Sequence, residues 1–261
     1  MEVSKYMKKF GKLNETLKKP DNCQIHGSFE SISMFQDRWT LCQKCVDDET
    51  TKKEAEEQVI KDMEYKAQEL KRRIGHSNIP ERFLSRSFEN YIVTNERSEK
   101  ALKTALNYAD EFRKKYTDGS CLIFSGDVGN GKTHLAAAIA NKIIKKGAQP
   151  LFISVSKAVR SVKETYSRGS DISERQALDT FVIPELLILD EVGVQFGTDF
   201  EKNILFEIIN TRYEKMLPTL LISNLSLDAM KNYIGERSFD RMRENGGKVV
   251  IFDWESYRTK G

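Results

Sequence analysis

The stretch GDVGNGKT, residues 126–133, constrains the fold of this chain more than any other part of the sequence. Gly126 and Gly131 bracket four residues, and Lys132 and Thr133 follow, which matches the G-x-x-x-x-G-K-[ST] spacing of phosphate-binding loops. An apolar run, LIF, precedes the stretch, and an alanine-rich run, HLAAAIAN, follows it. The loop is therefore predicted to connect a buried strand to a helix in an α/β fold.

The loop has the composition needed to bind ATP. Glycines let successive backbone N–H groups point at one anion, and the N-terminus of the following helix adds a partial positive charge. Lys132 is expected to reach the β- and γ-phosphates, and Thr133 to place its hydroxyl on Mg²⁺. The residues predicted to bind the nucleotide are Gly126, Asp127, Val128, Gly129, Asn130, Gly131, Lys132, Thr133 and His134. An ordinary glycine-rich turn between a strand and a helix is the alternative.

Two acidic residues end a second apolar run, ELLILDE at 185–191. The run predicts a buried strand that delivers Asp190 and Glu191 at its carboxyl end. We expect Asp190 to hold Mg²⁺, largely through water, and Glu191 to orient and polarise the attacking water. Asn224 ends a third run, TLLISN, where its amide is expected to sense the γ-phosphate or position the water. Asparagine is also a common turn residue in such a place.

Beyond residue 86 the sequence alternates between strand-like and helix-like runs. The strand-like runs are SCLIFSG, QPLFISV, ELLILDE, PTLLISN and KVVIFDW. The helix-like runs include SEKALKTALNYADEFRKKY and SLDAMKNYIGERSFDRMREN. Apolar strands that alternate with amphipathic helices predict an α/β sandwich around a mostly parallel sheet.

The chain before this region has a different composition. We expect three parts: a metal-binding module at 1–47, a charged amphipathic helix and linker at 48–85, and an ATPase domain at 86–261. The apolar residues of the charged helix recur at helical spacing, and they are Val59, Ile60, Met63, Ala67, Leu70 and Ile74. This apolar stripe is expected either to contact a partner protein or to pack on the chain's own domains.

A cluster of cysteines and a histidine marks the first part. Cys23 and His26 are separated by two residues, as are Cys42 and Cys45, and fifteen residues lie between the pairs. Such pairs supply four ligands for a structural Zn²⁺ site without an open position for catalysis. A segment this small needs a metal in order to fold, and Trp39 is expected to be its core residue. Four unrelated buried or redox-active side chains are the alternative.

Charge and hydropathy favour no membrane partner. The basic amphipathic start is expected to be a solvated helix or frayed terminus, and contact with a membrane surface is the alternative. The net charge of +3 is small for 261 residues, so it gives no global argument for a polyanionic partner. The lysine-rich start, MEVSKYMKKFGKLNETLKK, lacks the apolar stretch of a secretory signal, and no later run approaches membrane-spanning length. We therefore expect a cytoplasmic protein.

The order of these motifs resembles that of the AAA+ ATPases. Within them, SFENY, GNGKTHLAAAIAN, LLILDEVG, IGERSFDRMR and VVIFDWESYR are similar to motifs of the DnaC-type replicative helicase loaders and of the related IstB-type transposition ATPases. The resemblance covers roughly residues 76–258. It implies a Rossmann-like AAA+ core that assembles side by side, so that the next subunit completes each ATP site. Because few residues follow this region, the C-terminal helical lid of many AAA+ proteins is expected to be absent.

The resemblance also implies roles for three arginines. Arg241 in FDRM would be an arginine finger inserted at the γ-phosphate of a neighbouring subunit, and Arg237 would support it. Arg258 in SYR would be a sensor arginine acting on its own nucleotide. The alternative for Arg237, Arg241 and Arg243 is a solvated helix face.

The function that the resemblance implies is ATP-dependent loading of a hexameric replicative DNA helicase onto single-stranded DNA. The N-terminal region would bind the helicase, ATP would drive self-association into a ring or spiral, and hydrolysis would release the loader. One predicted helix carries basic side chains that could follow the phosphates of single-stranded DNA and a tyrosine that could stack on a base. These residues are Lys157, Arg160, Lys163, Tyr166 and Arg168.

Two other functions remain open from the sequence. An IstB-like helper of a DNA transposase would share the ATPase core and would act on duplex DNA. A small-molecule kinase could use the same phosphate loop, but Asp190, Glu191 and Asn224 suit attack by water, and no phosphoacceptor pocket is recognisable.

Overall fold

The computed structural model of the chain describes residues 17–35, 38–167, 171–194 and 198–257. The chain divides into two compact units, Met1–Ala67 and Gln68–Gly261. The three functional parts expected from composition, with limits at residues 47 and 85, stay predictions.

A small antiparallel sheet followed by a helix makes up the described part of the first unit. Strand β1 (Leu17–Cys23) pairs with β2 (Gly27–Phe35), and the short β3 (Arg38–Trp39) pairs with the end of β2. Helix α1 (Gln43–His76) begins before residue 48, where the charged segment starts, and so includes Cys45. Part of the cysteine cluster therefore lies on this helix.

The expectation that Trp39 fills the core of this sheet is wrong. Its side chain is 36% exposed, and the ammonium nitrogen of Lys19 lies 4.4 Å from the ring centroid. The buried side chains of the described part of this unit include Ser31, Ser33 and Cys42. A sheet of this size has too little opposing surface to cover an indole, so the ring stays at the surface.

The second unit is built on a five-stranded parallel sheet. Its strands are β4 (Leu122–Gly126), β5 (Pro150–Ser154), β6 (Leu186–Val192), β7 (Thr219–Ser223) and β8 (Lys248–Phe252). Their spatial order is β5-β6-β7-β4-β8, and the pairings are parallel. All five lie where the sequence predicts strands. Because β7 lies between β6 and β4, the three strands that precede the predicted site residues end side by side.

Helices cover both faces of this sheet. They are α2 (Glu81–Leu84), α3 (Glu96–Asp110), α4 (Phe112–Asp118), α5 (Lys132–Lys145), α6 (Val155–Glu164), α7 (Glu174–Val182), α8 (Asp199–Glu214), α9 (Leu227–Ile234) and α10 (Glu236–Arg241). Leu122 and Phe124 of β4 belong to the apolar cluster that includes α3 and α5, whereas Ile123 belongs to the cluster that includes α6 and α8. Alternate strand residues thus face opposite apolar layers. Among the described residues, no helix has the length and apolar character needed to cross a bilayer.

The helices differ from the prediction in four places, one of which is the short α2, where no helix is predicted. Two runs predicted as continuous helices are interrupted, at Glu111 between α3 and α4 and at Gly235 between α9 and α10. Gly235 has a φ of 85°, which a right-handed helix cannot contain. Helix α7 lies outside the predicted elements, although Ser173 and Gln176 form a capping box at its start. The letters SERQ carry the sequence signature of that box.

Candidate nucleotide site and metal centre

A cavity of about 710 Å³ lies at the carboxyl edge of the parallel sheet, where α/β sheets commonly bind ligands. The predicted site residues that line it are Val128, Gly129, Asn130, Gly131, Lys132, Thr133, His134, Asp190, Glu191 and Asn224. Residues outside the predicted nucleotide set also line it, among them Tyr91, Lys157 and Trp254. The phosphate loop and the acidic pair, which are far apart in the sequence, therefore face one space.

Lys132 is the buried cation of the loop. Its ammonium group donates hydrogen bonds to the carbonyl oxygens of Gly126 at 2.6 Å and Asp127 at 2.5 Å. These two residues lie outside the cavity lining and contribute through their backbone. An ammonium group presents three N–H donors over a small volume, which suits it to a phosphate oxygen beside the loop.

Two of the loop glycines are required by close packing. Gly126 has a φ of 139°, and a Cβ atom there would overlap the carbonyl of Phe252. Gly131 has a φ of 89°, and a Cβ atom there would lie 2.6 Å from the ring of Tyr91. Both positions therefore exclude larger residues for steric and conformational reasons.

The end of β8 and the segment after it form hydrogen bonds with the phosphate loop. The side-chain amide of Asn130, which is 3% exposed, donates to the carbonyl oxygens of Phe252 at 2.9 Å and Trp254 at 2.5 Å. The backbone N–H of Tyr257 donates to the carbonyl of Gly129 at 3.2 Å. We call these contacts the loop clasp. They fix the loop's shape through a segment that the sequence motif does not include.

The acidic pair lies opposite the loop. The hydroxyl of Thr133 donates to Asp190 Oδ2 at 3.3 Å, and burial raises the pKa of the Asp190 carboxyl. Glu191 is exposed and has a φ of 62°, in the left-handed region that residues other than glycine rarely occupy. The pairing of β6 with β7 shifts register between Leu189 and Val192. Such irregularities reorient side chains next to functional sites.

The oxygen atoms of Thr133 and Asp190 fit a magnesium ion. Mg²⁺ prefers hard oxygen ligands and keeps several of its waters, so one hydroxyl and one carboxylate at the cavity wall suffice on the protein side. Asn224 stands exposed just after β7, between the strands that carry the loop and the acidic pair. Its amide offers both a donor and an acceptor at that position.

His134 packs against the chain itself. Its Nε2 lies 2.9 Å from the carbonyl oxygen of Ser87, and its ring meets the Tyr91 ring edge-on at 5.3 Å between centroids. Burial lowers the pKa of this imidazole. These contacts connect the start of α5 to the SFENY segment.

Two of the three predicted arginines lie away from the cavity. Arg237 and Arg241 are on α10, and neither lines the cavity of its own chain. Arg241 donates through Nη1 to Asn210 Oδ1, and its guanidinium carbon lies 4.9 Å from the ring centroid of Tyr213. Arg258 lies outside the described residues.

The predicted DNA contacts are divided between two surfaces. Lys157 lines the nucleotide cavity, whereas Arg160 and Lys163 are exposed on α6. Tyr166 is 56% exposed, and its ring meets that of Phe200 edge-on at 6.0 Å. Arg168 lies outside the described residues.

The four predicted metal ligands converge in the first unit. The ligand atoms of Cys23, His26, Cys42 and Cys45 all lie within 4.8 Å of one another. The Cys23 and Cys45 sulfurs are 3.4 Å apart, and His26 Nδ1 lies 3.2 Å from Cys45 Sγ and 3.8 Å from Cys42 Sγ. Zn–S bonds of about 2.3 Å and Zn–N bonds of about 2.0 Å in a tetrahedron give separations of about 3.5–3.8 Å. The donor set and its spacing fit zinc.

The surroundings of these ligands also suit a metal. The backbone N–H groups of His26 and Ile25 lower the pKa of the Cys23 thiol, whereas the adjacent Cys23 sulfur raises the pKa of the Cys45 thiol. His26 Nε2 lies 3.1 Å from Asp48 Oδ2, which leaves Nδ1 facing the sulfurs. A carboxylate on the second nitrogen is typical of metal-binding histidines. Asp48 is not among the residues predicted from the sequence, although it lies one helical turn after Cys45.

Comparisons with known proteins find relatives over most of this chain. The family model described as IstB-like ATP binding protein matches residues 36–261. The replicative helicase loader DnaC of Buchnera aphidicola subsp. Schizaphis graminum is 38% identical over 195 residues, which are 75% of this chain and 78% of that protein. DnaC of Escherichia coli K12 is 38% identical over 199 residues, 76% of this chain and 79% of that protein. A crystal structure of the DnaC helicase loader matches with a TM-score of 0.59 at 24% identity, over 66% of this chain and 99% of that one.

Proposed function

We propose a function for this chain, which belongs to the IstB/DnaC family of ATP-binding proteins. The proposed function is the ATP-dependent loading of a hexameric replicative helicase onto single-stranded DNA. One observation carries the proposal. In a chain 38% identical to DnaC loaders, the phosphate loop, Asp190, Glu191 and Asn224 line one cavity.

ATP hydrolysis follows from the placement of the groups in that cavity. Lys132 and the loop N–H groups bind the phosphates and offset their charge. Thr133 and Asp190 would hold Mg²⁺, which supplies charge neutralisation between the β- and γ-phosphates when it is bound. Glu191 accepts a hydrogen bond from the attacking water and aligns it with the γ-phosphate. Asn224 holds that water or a γ-phosphate oxygen from the neighbouring strand.

Assembly of copies completes the site. Arg241 reaches the γ-phosphate held by the adjacent copy, Arg237 supports it, and Arg258 acts on the nucleotide of its own chain. This assignment is supported by the position of Arg241 outside the cavity of its own chain. ATP binding then favours self-association into a ring or spiral, because the nucleotide is shared between copies.

The first unit binds the helicase. Zn²⁺ held by Cys23, His26, Cys42 and Cys45 orders the small sheet. The exposed apolar side chains of the adjoining helix, Val59, Ile60 and Met63, support a protein contact, since they are 53%, 56% and 65% exposed. The module at 1–47 and the helix at 48–85 thus bind the helicase, and the domain at 86–261 binds and hydrolyses ATP.

Single-stranded DNA contacts the ATPase assembly through α6. Arg160 and Lys163 follow the phosphates, and the exposed ring of Tyr166 stacks on a base. The protein acts in the cytoplasm, where the helicase and the DNA are.

A second function is favoured by the name of the matching family model, which is IstB-like. In that case the same ATPase core acts as the helper of a DNA transposase. Duplex DNA rather than single-stranded DNA would then stimulate hydrolysis, so the DNA preference of the ATPase separates the two functions.

Co-elution with a hexameric replicative helicase tests the proposal. Wild type, Cys42→Ser and Lys132→Ala are each mixed with helicase, with and without ATP, and Cys121→Ala serves as a cysteine control outside the metal cluster. A complex that survives Cys121→Ala and is lost in Cys42→Ser supports helicase binding through the first unit. No complex under any nucleotide condition would overturn the loader function.

A further inference from the structure

We propose that Asn210 and Tyr213 are positioning residues for Arg241, and that they present its guanidinium group to the γ-phosphate of ATP in a second copy of the chain. This inference rests on the proposed action of Arg241 between copies. It explains why Arg241, rather than Arg237 or Arg243, is oriented to bind a phosphate.

Two side chains of α8 hold the guanidinium group of Arg241. Nη1 donates to Asn210 Oδ1, and the Tyr213 ring lies under the group, with 4.9 Å between the guanidinium carbon and the ring centroid. Asn210 and Tyr213 are three residues apart on one helix, so they share a face. The planar guanidinium group is thereby fixed at one edge by Asn210 and across one face by the Tyr213 ring.

Each holding side chain is itself fixed by an acidic partner. Asn210 Nδ2 donates to Glu214 Oε1 at 2.8 Å, which turns Oδ1 of the same amide towards Arg241. The Tyr213 hydroxyl donates to Glu244 Oε2 at 2.6 Å, which fixes the tilt of the ring. The orientation of Arg241 is therefore set by two side chains that have few alternative rotamers.

The remaining donors of Arg241 are available. Its Nε and Nη2 groups have no hydrogen-bond partner in the part of the chain that the structure describes, and its side chain is half-buried. A guanidinium group binds phosphate with two parallel N–H donors of one edge. By contrast, Arg237 is exposed, and Arg243 is exposed with its guanidinium carbon 5.8 Å from the Phe239 ring centroid.

The core packing of α8 and α10 does not depend on this pair. The buried residues Ile209, Phe239 and Met242 belong to the apolar cluster between these helices and the sheet. Asn210 and Tyr213 lie at its half-buried margin. Substitutions there are expected to change the presentation of Arg241 and to leave the fold intact.

Steady-state ATP hydrolysis by the full chain, at concentrations where it self-associates, tests the inference. Loss of an arginine finger lowers kcat by about a thousandfold or more, which is the expectation for Arg241→Ala. We expect Tyr213→Leu and Asn210→Ala each to lower kcat by roughly tenfold with an unchanged KM for ATP. A mobile Arg241 side chain loses more conformational entropy when it binds the γ-phosphate in the transition state. Tyr213→Phe keeps the ring and is expected to restore most of the activity. Asn203→Ala, at an exposed position of the same helix α8, is the matched control.

Mixing two inactive variants measures the positioning role between copies. Lys132→Ala subunits bind no ATP but still supply Arg241, so they are expected to restore hydrolysis by Arg241→Ala subunits. A Lys132→Ala, Tyr213→Leu double variant is expected to restore about tenfold less. Circular dichroism and thermal melts of each variant verify folding, and Asn210→Ala provides an independent test should Tyr213→Leu unfold.

The outcomes separate the two proposals. Wild-type hydrolysis by Arg241→Ala would overturn the action of Arg241 between copies and this inference with it. Strong loss in Arg241→Ala together with wild-type kcat in Tyr213→Leu and Asn210→Ala would overturn only the positioning role.

Discussion

The hydroxyl of Thr133 lies 3.3 Å from a carboxylate oxygen of Asp190, although 57 positions separate the two residues in the sequence. The parallel order of β6, β7 and β4 produces this approach, because the loops that follow these strands open on the same edge of the sheet. The same edge carries Glu191, whose carboxylate is left exposed to the cavity. In the proposed function, metal binding depends on Asp190 and hydrolysis on its neighbour Glu191, so substitution is expected to separate the two.

Glu191→Gln is expected to abolish most hydrolysis while ATP still binds. The amide keeps the shape of the side chain but cannot polarise water, so kcat should fall by about 10²–10⁴-fold. Lys132, Thr133 and Asp190 are unchanged, so the dissociation constant of a fluorescent ATP analogue should stay within about threefold of wild type. Glu207→Gln, at an exposed position of α8, is the control. Hydrolysis at the wild-type rate in Glu191→Gln would remove Glu191 from the chemistry.

Asn130→Ala is expected to weaken the loop clasp. The substitution leaves the carbonyl groups of Phe252, which is buried, and of Trp254, which is half-buried, without this donor, and it should lower the free energy of unfolding by about 1–3 kcal/mol. Affinity for ATP should fall as well, because the loop loses its fixed shape. Urea unfolding followed by circular dichroism measures the first effect. Asn203→Ala, on the exposed face of α8, should change stability by less than about 0.5 kcal/mol.

Arg212→Met is expected to be strongly destabilising. The guanidinium group is fully buried, and burial lowers its pKa to about 10. It donates to the Thr219 hydroxyl and to the carbonyl oxygens of Phe181, Val182, Pro184 and Pro218. Leaving several buried acceptors unpaired should lower the free energy of unfolding by about 3 kcal/mol or more.

The comparison for this variant is Arg113→Met, since Arg113 forms a surface ion pair with Glu185 and is 67% exposed at its side chain. Its loss should change the free energy of unfolding by at most about 1 kcal/mol. Equal stability of Arg212→Met and Arg113→Met in urea would contradict the role given to the buried arginine.

Removing zinc is expected to unfold the small sheet and to spare the ATPase domain. The protein as purified should contain about one zinc ion per chain, because four protein ligands make a closed site. A strong chelator, or Cys42→Ser, should release it and make residues 17–45 sensitive to protease, while ATP binding persists. Cys121→Ala should keep its zinc. A chain that carries no zinc after expression in zinc-containing medium would contradict the assignment.

Asp48→Asn is expected to weaken zinc binding without abolishing it. The asparagine cannot hold the Nε2–H of His26 as a carboxylate does, and such changes typically cost about 10–100-fold in metal affinity. Competition with a chromophoric chelator measures the ratio. Asp62→Asn, farther along α1, is the matched control and should leave the affinity unchanged. Equal zinc affinity of Asp48→Asn and wild type would show that Asp48 does not support His26 as a metal ligand.

Local signals were enough for the parallel sheet and for the outline of the site. Each strand is a short apolar run next to an amphipathic helix, so periodicity alone predicts β4 and β6. The glycine spacing of the loop and the acidic end of β6 are equally local. Helix α7 could have been found in the same way, because its capping box is written in four consecutive residues.

The features that the sequence did not predict depend on contacts between distant residues. The sequence predicts that Asn130 binds the nucleotide with the rest of the loop. Its side-chain amide also donates hydrogen bonds to carbonyl groups more than a hundred residues later, which the sequence does not predict. Trp39 is predicted to be the core residue of the small module, but the surrounding sheet is too small to cover its ring. The contact of Arg241 with Asn210 and Tyr213 requires the packing of α10 on α8, which no local pattern encodes.

The loop clasp also orders events during synthesis of the chain. The partners of the Asn130 amide lie 122 and 124 residues after it, so the ribosome releases the complete phosphate loop long before it releases the groups that brace it. Until β8 emerges, β4 has no neighbour on one side and the loop has no support behind it. Nascent chains are therefore expected to gain affinity for ATP only after residue 257 has left the exit tunnel.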